Sequence, residues 1–416
     1  MRDRIVFHID ANSAYLSWEA AYRLSHGDTI DLREIPAIVG GDPVKRSGIV
    51  LAKSIPAKKL GIATGEVLWK ALQKCPNLKI IKPNYSLYMK CSKAMNEIIS
   101  EYAPQVQRFS IDESFAEFTG TNKLWGDPVQ LAYTIKNRIR DELGFTVNIG
   151  VSSNKLLAKM AGELRKPDMV HTLFPEELEE KFWPLPIGEL YGIGRATTPK
   201  LQRQGIMTIG DLARMDSEFL QYKLGKYGLV IWKYANGIED SMTREATDGI
   251  KGIGNSSTLK KDLDDRETAH LFLLSLTEMV SMRLRDSGNM CGLVSVSIKY
   301  TDLGKVSHQR KLFYSTDNTN EIFNEVRRLF DESWNNEAIR HLGVRVSHLS
   351  SSDDYQLPIL DTEKFEKNRN LDSTIDDLRL RFGKNSIIRS SFLHTPIKPV
   401  TGGVGEDDYL MMGSIL

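Results

Sequence analysis

Apolar positions in the first 170 residues alternate between strand-like runs and helical spacing. Three runs are short, continuous and rich in β-branched or aromatic residues, as is typical of buried strands, and they cover residues 4–10, 109–118 and 146–151. Four segments repeat apolar residues every three or four positions, which predicts helices, and they cover residues 13–21, 85–102, 131–143 and 154–164. The alternation predicts one layered α/β core, interrupted at about residues 22–75 by a small insertion of short strands and helices.

The pattern changes after residue 167. Short helical segments dominate residues 168–240, and the polar, glycine-containing stretch 241–252 has the composition of an interdomain linker. Residues 253–350 then show the order strand, helix, strand, strand, helix, strand, which predicts a small sheet with helices on one face. A polar run follows, and a last helix is predicted at residues 371–382 within the tail 351–416.

Composition narrows the class of protein only slightly. The chain has 416 residues, with 55 Lys and Arg against 54 Asp and Glu and a formal net charge of +1. Any nucleic-acid contact must therefore come from local basic patches. The three cysteines lie far apart without a CxxC pair, which argues against a disulfide framework or a zinc site. The sequence shows no signal-peptide pattern and no membrane-length apolar run, so we expect a soluble cytoplasmic protein without membrane contact.

Acidic residues end or interrupt two of the predicted strands. Asp10 closes the run 4–10, and Asp112 and Glu113 interrupt the run 109–118. A buried carboxylate is costly without a cation or donor, so these acids predict a divalent-metal site of the kind used in two-metal phosphoryl transfer. Asp10 alone is also compatible with an N-cap of the next helix, and the Asp112–Glu113 pair with a polar strand edge. Because successive strand residues face opposite sides, Asp112 and Glu113 can share a site only near a strand end or turn.

Five ordered motifs resemble those of the Y-family, or translesion, DNA polymerases, in the UmuC-like Gram-positive branch. They are His8-Ile9-Asp10 through Tyr15, Gly48-Ile49-Val50 through Gly61, Ser110-Ile111-Asp112-Glu113-Ser114, Asn154-Lys155-Leu156 through Lys166-Pro167, and Leu371-Asp372 through Lys384. The resemblance implies an α+β multidomain, right-hand polymerase. Its parts would be a ferredoxin-like palm (1–21 and 76–167), small fingers (22–75), a helical thumb (168–240), a linker (241–252), a β-α-β-β-α-β little finger (253–350) and the tail (351–416).

The resemblance also implies an active site. Asp10, Asp112 and Glu113, with the Ala11 carbonyl, would hold two Mg²⁺ ions. Tyr15 stands where the family places an aromatic steric gate that excludes the 2′-hydroxyl of ribonucleotides. Lys58 and Lys155 match positions that meet the triphosphate, although this chain has Ile55 and Lys58 where the family usually has Tyr and Arg.

Further segments suggest contacts with DNA and with a partner protein. Residues 190–212 have the pattern of a helix-hairpin-helix, in which Gly192, Gly194 and Arg195 would meet a phosphate without reading sequence. The strands of residues 253–350 carry further candidates for DNA binding, namely Lys260, Lys299, Arg310 and Lys311. Residues 355–361 resemble the peptide by which bacterial polymerases hold the sliding clamp, with Gln356, Leu357 and Leu360 as the contacts.

These observations together predict a template-directed DNA polymerase of the translesion type. It would add dNTP to a primer 3′-hydroxyl on primer-template DNA as a monomeric subunit, with low fidelity, and the assigned domains leave no segment large enough for a proofreading exonuclease. Two alternatives stay open. Another palm-type nucleotidyl enzyme would not need the helix-hairpin-helix, and a non-catalytic DNA-binding accessory protein would not need Asp10, Asp112 and Glu113 together.

Overall fold

The computed structural model describes residues 4–41, 48–243, 250–352 and 362–395, together with residues 397 and 399. Two compact units account for these residues, one formed by 4–41 with 48–243 and the other by 250–352 with the described residues from 362 onward. Each unit has its own hydrophobic core. Among the helices of these described stretches, none is both long and apolar enough to cross a membrane.

The first unit is built on a five-stranded sheet. The strands described in this unit, which form two sheets, are β1 (Val6–Ala11), β2 (Ala37–Gly40), β3 (Val50–Lys53), β4 (Lys79–Ile81), β5 (Gln105–Arg108), β6 (Glu113–Glu117), β7 (Val147–Ser152) and β8 (Val170–Thr172). The large sheet has the order β5-β6-β1-β7-β8, and β2, β3 and β4 form a separate three-stranded sheet. The strands β1, β5, β6 and β7 pair antiparallel in the order of a ferredoxin-like fold, which confirms the predicted palm architecture.

Helices cover the large sheet on both faces. The helices of this unit are α1 (Ala14–Ser25), α2 (Ile55–Lys59), α3 (Leu68–Lys74), α4 (Tyr85–Tyr102), α5 (Asn122–Trp125), α6 (Pro128–Leu143), α7 (Lys155–Glu163), α8 (Thr198–Gln202), α9 (Ile209–Ala213), α10 (Ser217–Leu224) and α11 (Lys226–Ala235). One core cluster joins Phe7 and Ile9 of β1 to α1, α4 and α6. A second cluster joins Val6 and Phe115 to α7 and to the short helices after residue 175. The alternation of strand residues thus sends odd positions of β1 to one layer and even positions to the other.

The second unit is a four-stranded antiparallel sheet with helices on one face. Its elements are β9 (Gly252–Leu263), α12 (Arg266–Asp286), β10 (Asn289–Tyr300), β11 (Lys305–Thr316), α13 (Thr319–Ser333), β12 (Ile339–Ser351) and α14 (Thr362–Phe382). The strand order is β11-β10-β12-β9. Even-numbered β10 residues such as Val294 and Val296 are buried with α12 and α13. The element order is the one predicted from the sequence.

Two predicted elements differ from those observed. The predicted strand 109–118 begins with a turn at residues 109–112, which joins β5 to β6, and only its second half is strand, namely β6. In this turn the backbone N–H groups of Phe109 and Ser110 both donate to the carbonyl of Glu113. The second difference is the last helix, which begins at Thr362 rather than at residue 371. Polar and charged residues fill its first turns, so apolar spacing alone does not reveal them.

Candidate active site

Asp10 and Glu113 are brought together by strand pairing. Asp10 on β1 lies directly opposite Glu113 on β6 in the antiparallel register, so both side chains point to the same face of the sheet. That face also carries His8 and packs against α7. Asp10 is buried and Glu113 is half-buried. Asp10 does not act as an N-cap, since the N-cap position of α1 is held by Ser13.

Asp112 reaches the same region because it lies in the hairpin turn. The Ser110 hydroxyl donates to Asp112 Oδ1 at 2.5 Å and also accepts from the backbone N–H of Glu113 at 3.1 Å. The backbone N–H of Ala11 donates to the carbonyl of Asp112 at 3.0 Å. Asp112 therefore precedes the strand and Glu113 begins it, which is the strand-end geometry that the sequence required of the pair.

Two glycines let α7 lie close to the sheet behind these acids. A Cβ on Gly150 of β7 would stand 1.9 Å from the carbonyl oxygen of Ala158 and 2.4 Å from the N of Gly162. A Cβ on Gly162 would stand 3.2 Å from Nδ1 of His8. This close approach of helix and strand needs glycine at residue 150, and it places the next turn of α7 above Glu113.

Lysines from this helix region neutralise the carboxylates. Lys159 of α7 forms an ion pair with Glu113 Oε2, and His8 Nε2 donates to the same oxygen at 3.1 Å. Lys166, just after α7, forms an ion pair with Asp10 Oδ2 and a second one with Glu163 at 2.8 Å. Cations thus already lie where the sequence predicted a positively charged ligand.

The pKa values of the three acids diverge. Burial raises the pKa of Asp10 to about 7, Lys166 opposes this rise, and the neighbouring charges of Glu113 and Asp112 add to it. Burial also raises the pKa of Asp112, against the hydrogen bond from Ser110. Glu113 behaves oppositely, because its partners His8 and Lys159 outweigh burial and lower its pKa to about 2. Mutual repulsion of buried carboxylates is a common property of functional sites.

The donor set suits a hard divalent cation. Carboxylate oxygens and a backbone carbonyl are the ligands that Mg²⁺ prefers, and the raised pKa of Asp10 marks a place where further positive charge would be stabilising. Within the described ranges, however, no group of three or more His, Cys, Asp or Glu side chains is arranged to hold one metal ion. The residues offer the oxygen ligands that such a cation prefers, and in this structure Lys159 and Lys166 form ion pairs with two of the carboxylates.

Tyr15 lies on the first turns of α1, beyond the end of β1. Its ring stacks on Tyr88 of α4 with centroids 4.5 Å apart, and Tyr85 meets it edge-on at 6.0 Å. The side chain is half-buried, so one part of the ring packs in the core and another part is accessible.

The two lysines predicted to meet the triphosphate have different surroundings. Lys58 is exposed on α2, and its charge, after burial, contributes to the lowered pKa of Lys53. Lys155 is buried and donates to the carbonyl of Met242 at 3.0 Å and to Gln107 at 3.3 Å. The structure therefore places the ammonium group of Lys155 within hydrogen-bond distance of a backbone carbonyl and of Gln107, and its contact with the triphosphate stays a prediction.

Lys159 and Lys166 are site residues that the sequence prediction missed. Both lie within the motif at residues 154–167, and Lys166 directly precedes Pro167. The signal available in the sequence was a basic residue at the end of the helix that follows β7. Its contact with Asp10, 156 positions earlier, depends on the tertiary fold.

The helix-hairpin-helix residues form a tight turn before α8. Gly192 has a φ of +92°, which favours glycine, and its carbonyl accepts from the Tyr227 hydroxyl at 2.7 Å. Gly194 and Arg195 are exposed. The Gly194 carbonyl accepts the backbone N–H groups of Thr197 and Thr198, which begins the helix.

The open face of the second unit's sheet is basic. The strands β10, β11 and β12 contain no acidic residue, and Lys260, Lys299 and Lys311 occupy positions that alternate with the buried ones. Arg310 lies on the opposite, helix-covered face, opposite Val294. There it pairs with Glu325 at 2.8 Å and with Glu332 at 2.6 Å on α13. The predicted clamp contacts Gln356, Leu357 and Leu360 lie outside the described residues.

Family models and curated relatives match this chain closely. The model of the impB/mucB/samB family matches residues 9–163, its C-terminal domain matches 250–359, and the IMS family HHH motif matches 175–206. DNA polymerase IV of Clostridium acetobutylicum is 44% identical over 391 residues, which are 94% of this chain and 98% of the relative. DNA polymerase IV 2 of Bacillus subtilis strain 168 is 37% identical over 402 residues, covering 94% and 95% respectively.

The solved structures give the same fold. A Y-family DNA polymerase chimera aligns with a TM-score of 0.71 and 22% identity over 83% of this chain and 99% of its own. Fold, site and relatives define a DNA-directed DNA polymerase, which sets aside the alternatives of an accessory protein or another nucleotidyl enzyme. The chain belongs to the Y family of translesion DNA polymerases, matched as the impB/mucB/samB family. Its substrates are primer-template DNA and dNTP, and nucleotidyl transfer in this family is generally metal-dependent.

Proposed function

We propose that Asp10, Asp112 and Glu113, with the Ala11 carbonyl, hold two Mg²⁺ ions for nucleotidyl transfer. The observation that carries this is the register of β1 and β6, which sets Asp10 against Glu113 on one face with Asp112 at the adjoining turn. When bound, the ions supply Lewis-acid activation of the primer 3′-hydroxyl and neutralise the triphosphate. The chain's own contribution is to orient these oxygens and to let Lys159 and Lys166 exchange partners.

The nucleotide would be held by residues around this pair. Lys166 pairs with Asp10 and Lys159 pairs with Glu113, and with Mg²⁺ held by these carboxylates the two ammonium groups would be available to the phosphates of the nucleotide. Lys58 would add charge from the fingers. The accessible part of the Tyr15 ring would pack against the sugar and leave no room for a 2′-hydroxyl.

The DNA would be held by two surfaces. The turn of Gly192, Gly194 and Arg195 would meet a backbone phosphate, and Lys260, Lys299 and Lys311 would meet others from the open sheet face. We assign residues 1–21 and 76–167 as palm, 22–75 as fingers, 168–240 as thumb and 253–350 as little finger, in a monomeric polymerase. In the tail, Gln356, Leu357 and Leu360 would bind a sliding clamp.

Primer extension on intact and damaged templates tests the metal site. With Mg²⁺ the wild type should extend both, and Asp112→Ala should lose about three orders of magnitude in rate. Glu97→Ala, an exposed acid on α4, is the matched control. Full extension by Asp112→Ala would remove the assignment.

The lysine assignment has its own test. Lys166→Ala should raise the KM for dNTP by about tenfold, the loss of one charge-assisted contact. Lys155→Ala should instead lower thermal stability, because its ammonium group is bonded to Met242 and Gln107. If Lys155→Ala raised the KM for dNTP while Lys166→Ala did not, Lys155 and not Lys166 would be the lysine that meets the triphosphate.

A further inference from the structure

The ring of Tyr15 packs against two tyrosines of α4 and against Trp18 of its own helix. The rings of Tyr15 and Tyr88 are nearly parallel, with an interplanar angle of 9° and centroids 4.5 Å apart. Tyr85 meets the Tyr15 ring edge-on at 81°, and Trp18 packs beside both stacked rings. Such offset stacks and edge contacts have preferred geometries, so the Tyr88 ring constrains the plane of the Tyr15 ring.

Tyr88 is in turn fixed by a buried carboxylate. Its side chain is fully buried, and its hydroxyl donates to Glu19 Oε1 at 3.0 Å. Glu19 stands four residues after Tyr15 on α1, on the same face of the helix. Only 4% of Glu19 is exposed, and its Oε2 accepts from Nε of Arg23 at 3.4 Å.

Burying a carboxylate at this depth costs free energy that its hydrogen-bond partners must offset. An apolar residue of similar volume could fill the space between α1 and α4 without the desolvation penalty. The hydrogen bond from Tyr88 lies at the para position of the ring, so it holds the long axis of the ring in place while the stacked rings hold its plane. Glu19, Tyr88 and Tyr15 therefore form one connected chain of contacts from a buried acid to the sugar-facing ring.

We propose that Glu19 is a positioning residue for sugar selection, acting through Tyr88 on the Tyr15 ring. The proposal rests on the proposed role of Tyr15 as the steric gate. A gate of this kind discriminates by overlap with a single oxygen atom, so a sub-ångström tilt of the ring changes discrimination. The ligand class affected is the ribonucleoside triphosphate, which the tilted ring would admit.

Incorporation kinetics with matched dNTP and rNTP test this. The readout is the ratio of the two kcat/KM values, because a merely structural role would lower both in parallel. Tyr88→Phe and Glu19→Ala should each reduce the discrimination ratio about tenfold, as expected for loss of one buried hydrogen bond to a charged group. Glu19→Gln keeps an acceptor oxygen and should stay within about twofold of wild type.

A double variant sharpens the test. If Glu19 acts only through Tyr88, combining Tyr88→Phe with Glu19→Ala should lower the ratio no further than either single change. Tyr102→Phe is the matched control, because it removes another hydroxyl from α4, one that accepts from Arg138 at 3.3 Å outside this cluster. Thermal melts identify any variant that fails to fold, and Tyr88→Phe retains the ring.

The outcomes separate this proposal from the gate itself. Tyr15→Ala should abolish most discrimination. If it does so while Tyr88→Phe and Glu19→Ala keep the wild-type ratio and melt normally, the positioning role is overturned and the gate stands. If Tyr15→Ala leaves discrimination unchanged, the gate assignment fails and the positioning role fails with it.

Discussion

At the residue scale, the active-site acids set catalysis against stability. Asp10 is buried among like charges, and burial raises its pKa to about 7 against the opposing charge of Lys166. Glu113 has two donors and a pKa of about 2. The two acids face each other across one strand pair. Asp10 has fewer cationic partners, so burial disfavours its charged form, whereas the partners of Glu113 stabilise its charged form.

Asp10→Asn should therefore stabilise the metal-free protein while abolishing primer extension. In EDTA at pH 8 we expect the free energy of unfolding to rise by about 1–3 kcal/mol, less than the full shift because Lys166 loses a partner. Lys166 keeps Glu163 at 2.8 Å, which limits that loss. Denaturant unfolding measures the difference.

The stability difference between Asp10→Asn and the wild type should change with pH in a defined direction. Because the folded pKa of Asp10 lies above the unfolded value, the folded wild type takes up a proton as pH falls through about 7 and gains stability down to about 4. The advantage of Asp10→Asn should shrink over that range. An advantage that grows on acidification would contradict the buried-charge explanation.

At the element scale, the position of α7 decides which side chains reach the acids. The helix can lie on β7 only because residue 150 is glycine, and this contact brings Lys159 over Glu113. On the second unit's sheet, the period of two decides in the same way which basic residues face outward.

Gly150→Ala should displace α7. Its Cβ would overlap the carbonyl of Ala158 at 1.9 Å, and we expect a loss of about 1–3 kcal/mol in unfolding free energy, as for overpacked cores. Primer extension should fall as well, since the lysines move with the helix. Gly194→Ala is the control for stability alone, because nothing lies within 4 Å of its added Cβ but the residue belongs to the proposed DNA-binding turn. Equal stability of the two variants would show that α7 accommodates the methyl group.

Lys311→Ala and Arg310→Ala should differ although the residues are adjacent. Lys311→Ala should weaken DNA binding and reduce the slope of log K against log salt by about 1. Arg310→Ala should leave that slope unchanged, because Arg310 already pairs with Glu325 and Glu332. Fluorescence anisotropy over a salt series makes the comparison, and a reduced slope for Arg310→Ala would place it among the DNA contacts.

At the scale of the whole molecule, the second unit extends past the matched family model. The match to the family's C-terminal domain ends at residue 359, whereas α14 continues to Phe382 and belongs to the same compact unit. The face of α14 that packs on the rest of this unit carries charged residues. Asp372 is buried and accepts from Asn318 at 3.0 Å and from the backbone N–H of Thr319 at 2.8 Å, so it supplements the N-cap of α13.

Asp372→Ala should destabilise the second unit by about 2–4 kcal/mol, since it removes one partner of a buried ion-pair network that includes Arg285. With two separate cores we expect two calorimetric transitions, of which only one should move. Asp377→Ala, an exposed acid on the same helix, should leave both in place. A shift of both transitions would mean that the units unfold together.

The sequence by itself determined the local chemistry of this protein. Continuous apolar strands ending in acid, the order of elements in both units and the ordered motifs are properties of short segments, so Asp10, Asp112, Glu113 and Tyr15 could be named without coordinates. The strand-end condition on Asp112 and Glu113 also followed from the alternation of side chains alone. The same alternation, counted along β11, would have placed Arg310 with Val306 and Leu312 on the helix side.

Only the tertiary structure decided which partners these residues meet. The contact of Lys166 with Asp10 spans 156 positions, that of Tyr88 with Glu19 spans 69, and that of Lys159 with Glu113 spans 46. Such contacts depend on strand register, on the approach of α7 permitted by Gly150, and on the packing of α1 against α4. Each of these is a long-range geometric condition that no short window of sequence contains, because the free energy that sets it comes from burying surfaces distant in the chain.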